Sequence, residues 1–168
     1  IFNGFGGLAS VAVALSDYWL HTQQQSIELS SITVVSIILS IFIGGITFTG
    51  SMIAFLKLNG SISGRAIVFK GQNPLNLMLL IIGIILSVLI VMYTSDPSYI
   101  LLLTILSLVL GVLVVIPIGG ADMPVVISLL NSYSGMAACA TGFVLNNNVL
   151  IIAGALVGAS GIVLTDIM

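Results

Sequence analysis

The chain is poor in charge. Of its 168 residues only 5% are charged, with three basic and five acidic side chains, whereas 59% are hydrophobic. A soluble domain needs a largely polar and charged surface, so this composition excludes an ordinary soluble protein. The scarcity of lysine and arginine also excludes a nucleic-acid-binding surface, which depends on clustered basic residues. What remains is a protein whose main solvent is lipid.

The chain also has only one cysteine and no nucleotide-binding motif. The single cysteine, Cys139, lies inside an apolar stretch, so the chain forms neither a disulfide framework nor a zinc site. We interpret Cys139 as a small packing residue. No glycine-rich phosphate loop, Walker lysine or nucleophile elbow occurs. The sequence therefore shows no site for a nucleotide, another cofactor or a metal.

Long hydrophobic runs are abundant, and the mean hydropathy is +1.33. About 20 apolar residues cross the roughly 30 Å hydrocarbon core of a bilayer. The sequence predicts an all-α, polytopic transmembrane helix bundle with six spans, at about 1–15, 31–56, 75–94, 99–118, 124–145 and 148–168. The first run is short and does not begin with methionine, so we expect the chain to be a piece of a longer protein.

The basic residues are confined to one predicted loop. Lys57, Arg65 and Lys70 all lie between the second and third spans, in 57–74. The connections predicted on the opposite face, which contain no basic residue, are 16–30, 95–98 and 146–148. The positive-inside rule places the 57–74 loop, and by alternation the C-terminal end, on the cytoplasmic or matrix side.

Ionisable residues of the opposite face are few. Asp17, His21 and Glu28 fall in the predicted 16–30 connection, and Asp96 falls in 95–98. We interpret His21 as a solvated loop residue. On this assignment no carboxylate, histidine or lysine lies in the middle of a span, so the sequence offers no titratable group within the membrane.

Four predicted spans carry narrow stripes of small or polar residues at helical spacing. The stripes are Asn3, Gly7, Ser10 and Ala14; Ser36, Ser40, Gly44, Thr47 and Ser51; Ser128, Asn131, Gly135, Ala138 and Gly142; and Gly154, Gly158, Gly161 and Thr165. Helices in lipid associate through small residues and interhelical hydrogen bonds, so most members are interpreted as packing positions. For Asn3 and Asn131 two interpretations stay open: a structural interhelical hydrogen bond, or the lining of a path for a proton or ion.

A glycine-rich turn precedes the fifth span, with the sequence Gly119-Gly120-Ala121-Asp122-Met123-Pro124. The two glycines allow a tight turn after Pro117, and Pro124 suits the first turn of a helix. Asp122 lies near a helix N-terminus, where a carboxylate is favoured. It is either a simple capping residue or a surface carboxylate that senses a partner or a proton.

Several of these runs together resemble one known family. They are Gly119-Gly120-Ala121-Asp122-Met123-Pro124-Val125-Val126, Leu130-Asn131-Ser132-Tyr133-Ser134-Gly135, Gly154-Ala155-Leu156-Val157-Gly158-Ala159-Ser160-Gly161, and Thr47-Phe48-Thr49-Gly50-Ser51 with the Lys57-Leu58-Asn59-Gly60 that follows. The chain resembles, over essentially its whole length, the β-subunit part of the membrane domain of proton-translocating NAD(P) transhydrogenase.

The resemblance implies part of an enzyme, a translocase that couples proton movement to hydride transfer between NAD(H) and NADP(H). It places both nucleotides in soluble domains outside the membrane, so this chain would bind no cofactor. The implied partners are the lipid bilayer, other transhydrogenase transmembrane helices (from an α subunit or an N-terminal part), a soluble NADP(H)-binding domain and a second protomer in a homodimer. The implied location is a bacterial inner membrane or a mitochondrial-type membrane.

The resemblance also implies roles for particular residues. Asn131 matches the asparagine of the family's proton-path helix, and Asp122 matches the loop aspartate that faces the NADP(H)-binding domain. A glycine- and serine-rich helix tied to coupling is matched by Gly154, Gly158, Ser160 and Gly161. Asn3 falls where many members carry a histidine of the proton channel. Asparagine does not titrate, so the resemblance implies a titratable proton carrier elsewhere, on a helix outside this chain.

Two other classes of protein also fit polar stripes in a helix bundle. One is a secondary transporter or ion-channel domain without redox chemistry, for which another hydrophobic span, rather than a soluble domain, is expected beyond Met168. The other is a purely structural membrane anchor. An anchor predicts that Asn3 and Asn131 bond to each other or to the backbone.

Overall fold

The computed structural model describes residues 1–23, 30–93 and 96–168, and these residues form six α-helices and no strand. The helices are α1 (Phe2–Gln23), α2 (Ser31–Leu58), α3 (Gln72–Met92), α4 (Pro97–Val115), α5 (Met123–Val144) and α6 (Asn148–Ile167). A short 3-10 turn, Gly120–Asp122, precedes α5. The predicted all-α helix bundle is confirmed.

Five helices, α2 to α6, are long and apolar enough to cross a membrane, within the ranges that the structure describes. α1 is the exception among the six predicted spans. Its length of 22 residues suffices, but Asn3, Asp17, His21 and three glycines dilute its apolar character. α1 is therefore the least apolar of the six helices.

The first helix is longer than predicted, and the 16–30 connection is wrong at its start. No glycine or proline interrupts residues 16–23, so nothing in this stretch ends the helix. Tyr18, which is 1% exposed, anchors it in the core. His21, predicted to be a solvated loop residue, lies in the last turn of α1 and is only partly exposed. Glu28 lies outside the described residues.

The end of α4 is set by a proline. Pro117 has no amide hydrogen, so the carbonyl of Leu113 lacks the backbone donor that a continuing helix would supply. Leu113 O instead accepts hydrogen bonds from Gln72 Nε2 at 3.0 Å and from Asn76 Nδ2 at 3.5 Å. α4 therefore ends at Val115, short of the predicted 118, and α3 begins at Gln72, before the predicted 75.

α2 lies in the middle of the bundle, in contact with α1, α3, α4 and α5. α1 and α5 also contact each other, α6 packs against α5, and α3 packs against α4. The ends of α2, α4 and α6 and the starts of α3 and α5 lie together, at what we call the loop end of the bundle. Large apolar side chains of α3 and α6 remain on the outside, as expected for helices that face lipid or further helices.

Glycines bring α1 and α2 into backbone contact. A Cβ placed on Gly44 would lie 2.7 Å from the carbonyl oxygen of Gly7, and one on Gly7 would lie 2.5 Å from that of Gly44. Ser10 and Ala14 of α1 and Thr47 of α2 are buried beside this crossing. Gly7, Ser10, Ala14, Gly44 and Thr47 of the predicted stripes are thus confirmed as packing positions.

Gly44→Ala is expected to force α1 and α2 apart. Overpacking of this kind costs about 1–3 kcal/mol, which thermal unfolding of the detergent-solubilised protein would detect as a lowered Tm. Gly119→Ala is the matched control, because a Cβ on Gly119 meets nothing within 4 Å. Equal stability of the two variants would contradict the close contact.

Candidate functional site

Asn3 and Asn131 lie at the same helix interface. Asn3 Nδ2 of α1 donates a hydrogen bond to Ile127 O of α5 at 3.4 Å. In an α-helix that same carbonyl accepts from the backbone N–H of Asn131, four residues later. One turn farther along, Ser134 lies against Gly6, where an added Cβ would be 2.6 Å from the serine hydroxyl. α1 therefore contacts α5 on both sides of Asn131.

Ser51 brings α2 to the same place. Its side chain is buried, and its hydroxyl has no hydrogen-bond partner among the described residues. A Cβ on Gly4 of α1 would lie 3.1 Å from Ser51 Cβ. On the α5 side, a Leu130 methyl packs against Gly50, the residue before Ser51. Ser51 thus lies where α1, α2 and α5 meet.

Asn3, Ser51 and Asn131, which we call the polar junction, have hydrogen-bonding capacity that the protein leaves unused. Asn131 is half-buried, and its side chain makes no hydrogen bond within the described residues. An unpaired buried polar group costs about 1–3 kcal/mol. At 1.5 Å per residue, Ser51 and Asn131 are about 10 Å in from the nearest helix ends. Amides and hydroxyls placed in this way can hold water inside the bundle.

The two asparagines differ in their bonding. Asn3 bonds to the backbone of another helix, as the structural interpretation predicts. The Asn131 side chain bonds neither to the backbone nor to Asn3 in the part of the chain that the structure describes. The structural-anchor interpretation therefore accounts for Asn3 and leaves Asn131 unexplained.

Two titratable side chains continue the edge of α1 that holds Asn3. Ser10 and Asp17 follow Asn3 at intervals of seven residues, which keeps all three on one side of the helix. The Asp17 side chain is 19% exposed, and its Oδ2 accepts no hydrogen bond from the described residues. His21 Nδ1 lies 3.6 Å from that oxygen and 2.9 Å from Asp17 O. Sequence reasoning missed this edge because it ended the helix at 15.

The predicted glycines of α6 face α5. A Cβ on Gly135 would lie 2.5 Å from Gly158 N and 2.9 Å from Gly154 O, so the two backbones touch. Gly161 completes the row, since its carbonyl accepts a hydrogen bond from Ser128 Oγ at 3.2 Å. Gly154, Gly158 and Gly161 therefore form one continuous contact surface.

Two serines change the predicted site. Ser132 was not singled out, yet its Oγ donates to Gly158 O across the interface at 2.7 Å. Its spacing from Ser128 and Gly135, four and three residues, is the signal that could have found it. Ser160 is exposed and its Oγ donates to Val157 O of its own helix at 3.0 Å. Ser160 therefore points away from the glycines with which it was grouped.

Asp122 is exposed at the loop end, in the last position before α5. Asp122 occupies the N-cap position of α5, as expected from the sequence, but its side chain makes no capping hydrogen bond. The backbone of its turn is fixed by hydrogen bonds from Asp122 N to Gly119 O, 3.1 Å, and from Gly120 N to Gly64 O, 2.7 Å. Asp122 and Asn131 lie about 13 Å apart along α5, so the structure links them through one helix without bringing them together.

The place of Lys57 also differs from the prediction. It was assigned to the 57–74 loop as an orienting charge, but it lies in the last turn of α2 and is 4% exposed. Its ammonium donates to three backbone carbonyls, those of Arg65 (3.3 Å), Ile118 (2.8 Å) and Ile116. A lysine has three N–H donors, so all of them are satisfied.

Comparison with known proteins gives a consistent result. The model of the family described as NAD(P) transhydrogenase beta subunit matches residues 1–168. Two curated relatives named NAD(P) transhydrogenase subunit beta, from Rhodospirillum rubrum and from a specified strain of that species, are each 47% identical over 171 residues. Each alignment covers 99% of this chain and 36% of the relative, so the chain spans about a third of the relatives' length.

Ser132→Ala and Ser160→Ala form a matched pair for the α5–α6 interface. Loss of the interhelical bond from Ser132 is expected to destabilise the bundle by about 0.6 kcal/mol, and by no more than ~1.7 kcal/mol. Ser160→Ala removes only a bond within its own helix and is expected to leave stability unchanged. Reversible unfolding in mixed detergent measures both; a larger loss from Ser160→Ala would show that the assigned orientation of α6 is wrong.

Proposed function

The chain belongs to the NAD(P) transhydrogenase beta-subunit family, and on that premise we propose that it is the membrane domain that couples proton translocation to hydride transfer between NAD(H) and NADP(H). The hydride step belongs to soluble domains outside this chain, and the chain itself binds neither nucleotide. Movement of one proton through 100 mV supplies about 2.3 kcal/mol. That amount is sufficient to drive a nearly balanced exchange of hydride between two nicotinamide nucleotides.

The observation that carries this proposal is the polar junction. Ser51 is buried with an unpaired hydroxyl, and the half-buried amide of Asn131 is unpaired within the described residues. Asn3 of α1 completes the junction, because its side chain donates a hydrogen bond to Ile127 O of α5. A hydroxyl both donates and accepts, and an amide offers both kinds of group, so a water held here has partners for both of its roles. Such water passes a proton along without any titratable side chain at the junction.

The proposed path extends from the junction along α1. Asn3 and Asp17 are 14 residues apart, which is about 21 Å along a helix and much of the roughly 30 Å hydrocarbon thickness. Ser10 lies between them and is buried. Asp17 and His21 supply titratable groups at the end of α1 opposite the loop end. In this proposal they exchange protons with the aqueous phase at that end of α1. Asn3 cannot fill this role, because an asparagine side chain does not titrate.

Asp122 and α6 have the coupling role in this proposal. Asp122 is exposed at the loop end and free of capping bonds, so its carboxylate is available to a soluble NADP(H)-binding domain. α5 joins it rigidly to Asn131. The glycine contact of Gly154, Gly158 and Gly161 with α5 makes α6 follow any movement of α5. Ser160, on the outward side of α6, faces lipid or a helix of another subunit.

The proposed assembly follows from surface and charge. The outward apolar side chains of α3 and α6 fit the lipid bilayer and the remaining transhydrogenase transmembrane helices, from an α subunit or an N-terminal part. We also propose a homodimer of protomers. Arg65 and Lys70 are exposed at the loop end, which supports placing that end and the end of α6 on the cytoplasmic or matrix side of the membrane.

Asn131→Leu and Ser51→Ala, made in the full enzyme complex, test the junction. Each removes polar groups that hold water, so proton uptake into vesicles during hydride transfer is expected to fall about tenfold, equivalent to ~1.4 kcal/mol. A pH-sensitive dye reports the uptake, and the hydride transfer is followed with an NAD⁺ analogue whose reduced form absorbs at a wavelength different from that of NADPH. Ser87→Ala is the control, because Ser87 bonds to Gly83 O in the peripheral helix α3. Unchanged uptake in both junction variants would overturn the proposed path.

Asp17→Asn tests the far end of the path. The substitution keeps the size of the side chain and removes its ability to titrate, so proton-coupled turnover is expected to fall while uncoupled membranes keep their hydride transfer. Asp166→Asn is the matched control, because Asp166 is exposed on α6. If both variants retained full coupled turnover, Asp17 would have no part in proton transfer.

A further inference from the structure

Lys57 is the only charged side chain that is buried among the described residues. Removing an ammonium group from water is costly unless each of its N–H groups finds an acceptor. Here all three do, and every acceptor is a backbone carbonyl rather than a carboxylate. A lysine held in this way keeps its position only while those three carbonyls keep theirs.

The three acceptors belong to two separate segments. Arg65 lies in the loop between α2 and α3, whereas Ile116 and Ile118 lie between the end of α4 and the Asp122 turn. Two backbone hydrogen bonds run beside them, from Gly120 N to Gly64 O (2.7 Å) and from Ile67 N to Ile116 O (3.3 Å). Together with the three hydrogen bonds of Lys57, these two backbone bonds join residues 59–71 to residues 116–122. We call this set of five hydrogen bonds the seam.

The chemistry of α4 explains why a cation lies there. The last carbonyls of a helix have no intrahelical donors and carry a partial negative charge. Ile116 is the C-cap residue of α4 and Ile118 lies two residues beyond it, so neither carbonyl has a donor from a continuing helix. A neutral side chain of similar length would fill the space but would remove the Lys57 donor from Ile118 O and leave Ile116 O with only the backbone N–H of Ile67.

Lys57 also connects the seam to the polar junction. It is on α2, six residues after Ser51, which is about 9 Å along the same helix. α2 contacts both α1 and α5, the other two helices of the junction. A displacement of the Asp122 turn therefore reaches Ser51 through Lys57 and α2, in addition to reaching Asn131 through α5.

We propose that Lys57 is a positioning residue for coupling: its ammonium fixes the Asp122 turn to α2, so that turn, loop and α2 move as one unit. The proposal rests on the proposed function, because it assigns the second connection between the soluble part and the proton path. In this role Lys57 transfers neither proton nor hydride; it acts by holding the backbone before Asp122.

The first experiment tests whether Lys57 fixes the Asp122 turn to α2, and it does so without measuring activity. Gly64 and Gly120 are replaced by cysteine in a Cys139→Ala background of the full enzyme complex. A Cβ on Gly120 lies 3.7 Å from Gly64 Cα, so the two Cα atoms are within the usual span of a disulfide, and a Cβ on Gly64 meets nothing within 4 Å, which leaves room for its sulfur. The rate of oxidative cross-linking is then compared for Lys57, Lys57→Met and Lys57→Arg. Lys70→Met is the matched control, since Lys70 loses the same charge from an exposed position in the same loop.

Lys57→Met is expected to slow cross-linking at least tenfold, because the turn leaves the loop once its carbonyls lose their donor. Lys57→Arg, which keeps a charged donor, is expected to recover most of the rate, and Lys70→Met is expected to change nothing. Equal cross-linking in Lys57 and Lys57→Met would overturn the proposal. If Lys57→Met does not assemble, the same comparison between Lys57→Arg and Lys57→Gln decides it.

The second experiment measures protons taken up per hydride transferred in vesicles. Lys57→Met is expected to lower this ratio at least threefold, and closing the Gly64–Gly120 disulfide in that variant is expected to restore it. A merely structural role would not be rescued in this way. Loss of turnover when the disulfide closes beside an intact Lys57 would show that loop and turn must separate, and would overturn the proposal.

The two proposals can fail separately. If Asn131→Leu lowers the proton-to-hydride ratio but Lys57→Met does not, the proton path stands and Lys57 has no role in coupling. If neither variant changes the ratio, the proposed function fails, and the cross-linking result still decides whether Lys57 fixes the turn.

Discussion

The loop end of the bundle depends on how the last carbonyls of α4 find hydrogen-bond donors. Within a membrane each backbone polar group has to be satisfied by protein or by buried water. Pro117 withdraws the donor of Leu113 O, which accepts from the side chains of Gln72 and Asn76 instead. Just beyond the helix end, Lys57 donates to Ile116 O and Ile118 O. One helix end thereby holds α2, α3 and α4 in a fixed arrangement. The position of the Asp122 turn is set by that arrangement.

Inside the bundle most hydroxyls are satisfied locally, which makes the exceptions informative. Thr47, for example, donates to Ile43 O and Ser36 to Ile32 O, each four residues earlier in the same helix. Such side chains add small polar surface to a packing face without needing a neighbour. Ser132 instead bonds across to α6, and Ser51 bonds to nothing that the structure describes. Ser51 is therefore the hydroxyl with a capacity for water, at the meeting point of three helices.

The sequence was sufficient to predict the helices, because hydrophobic runs of span length leave few alternatives in lipid. It was also sufficient to predict the α5–α6 contact, because Gly154, Gly158 and Gly161 recur on one side of a helix.

Three features could be found only in the structure. The extension of α1 was hidden because Asp17 resembles a loop residue until its burial is known. The burial of Lys57 depends on carbonyls nearly sixty residues later in the chain, and the orientation of Ser160 depends on which side of α6 meets α5. Each depends on long-range contacts that no local pattern encodes.

The acceptors of Lys57 have a consequence for biogenesis. Two of them belong to the end of α4, a helix that enters the membrane two spans after α2. Until α4 is in place, Arg65 O is the one acceptor of the three that is present, and the other N–H groups need water or lipid headgroups, so α2 keeps its last turn at the aqueous interface. Arrival of α4 then lets that turn settle into the bundle. The final depth of α2, and with it the level at which Ser51 meets α1 and α5, is thus fixed late in membrane insertion.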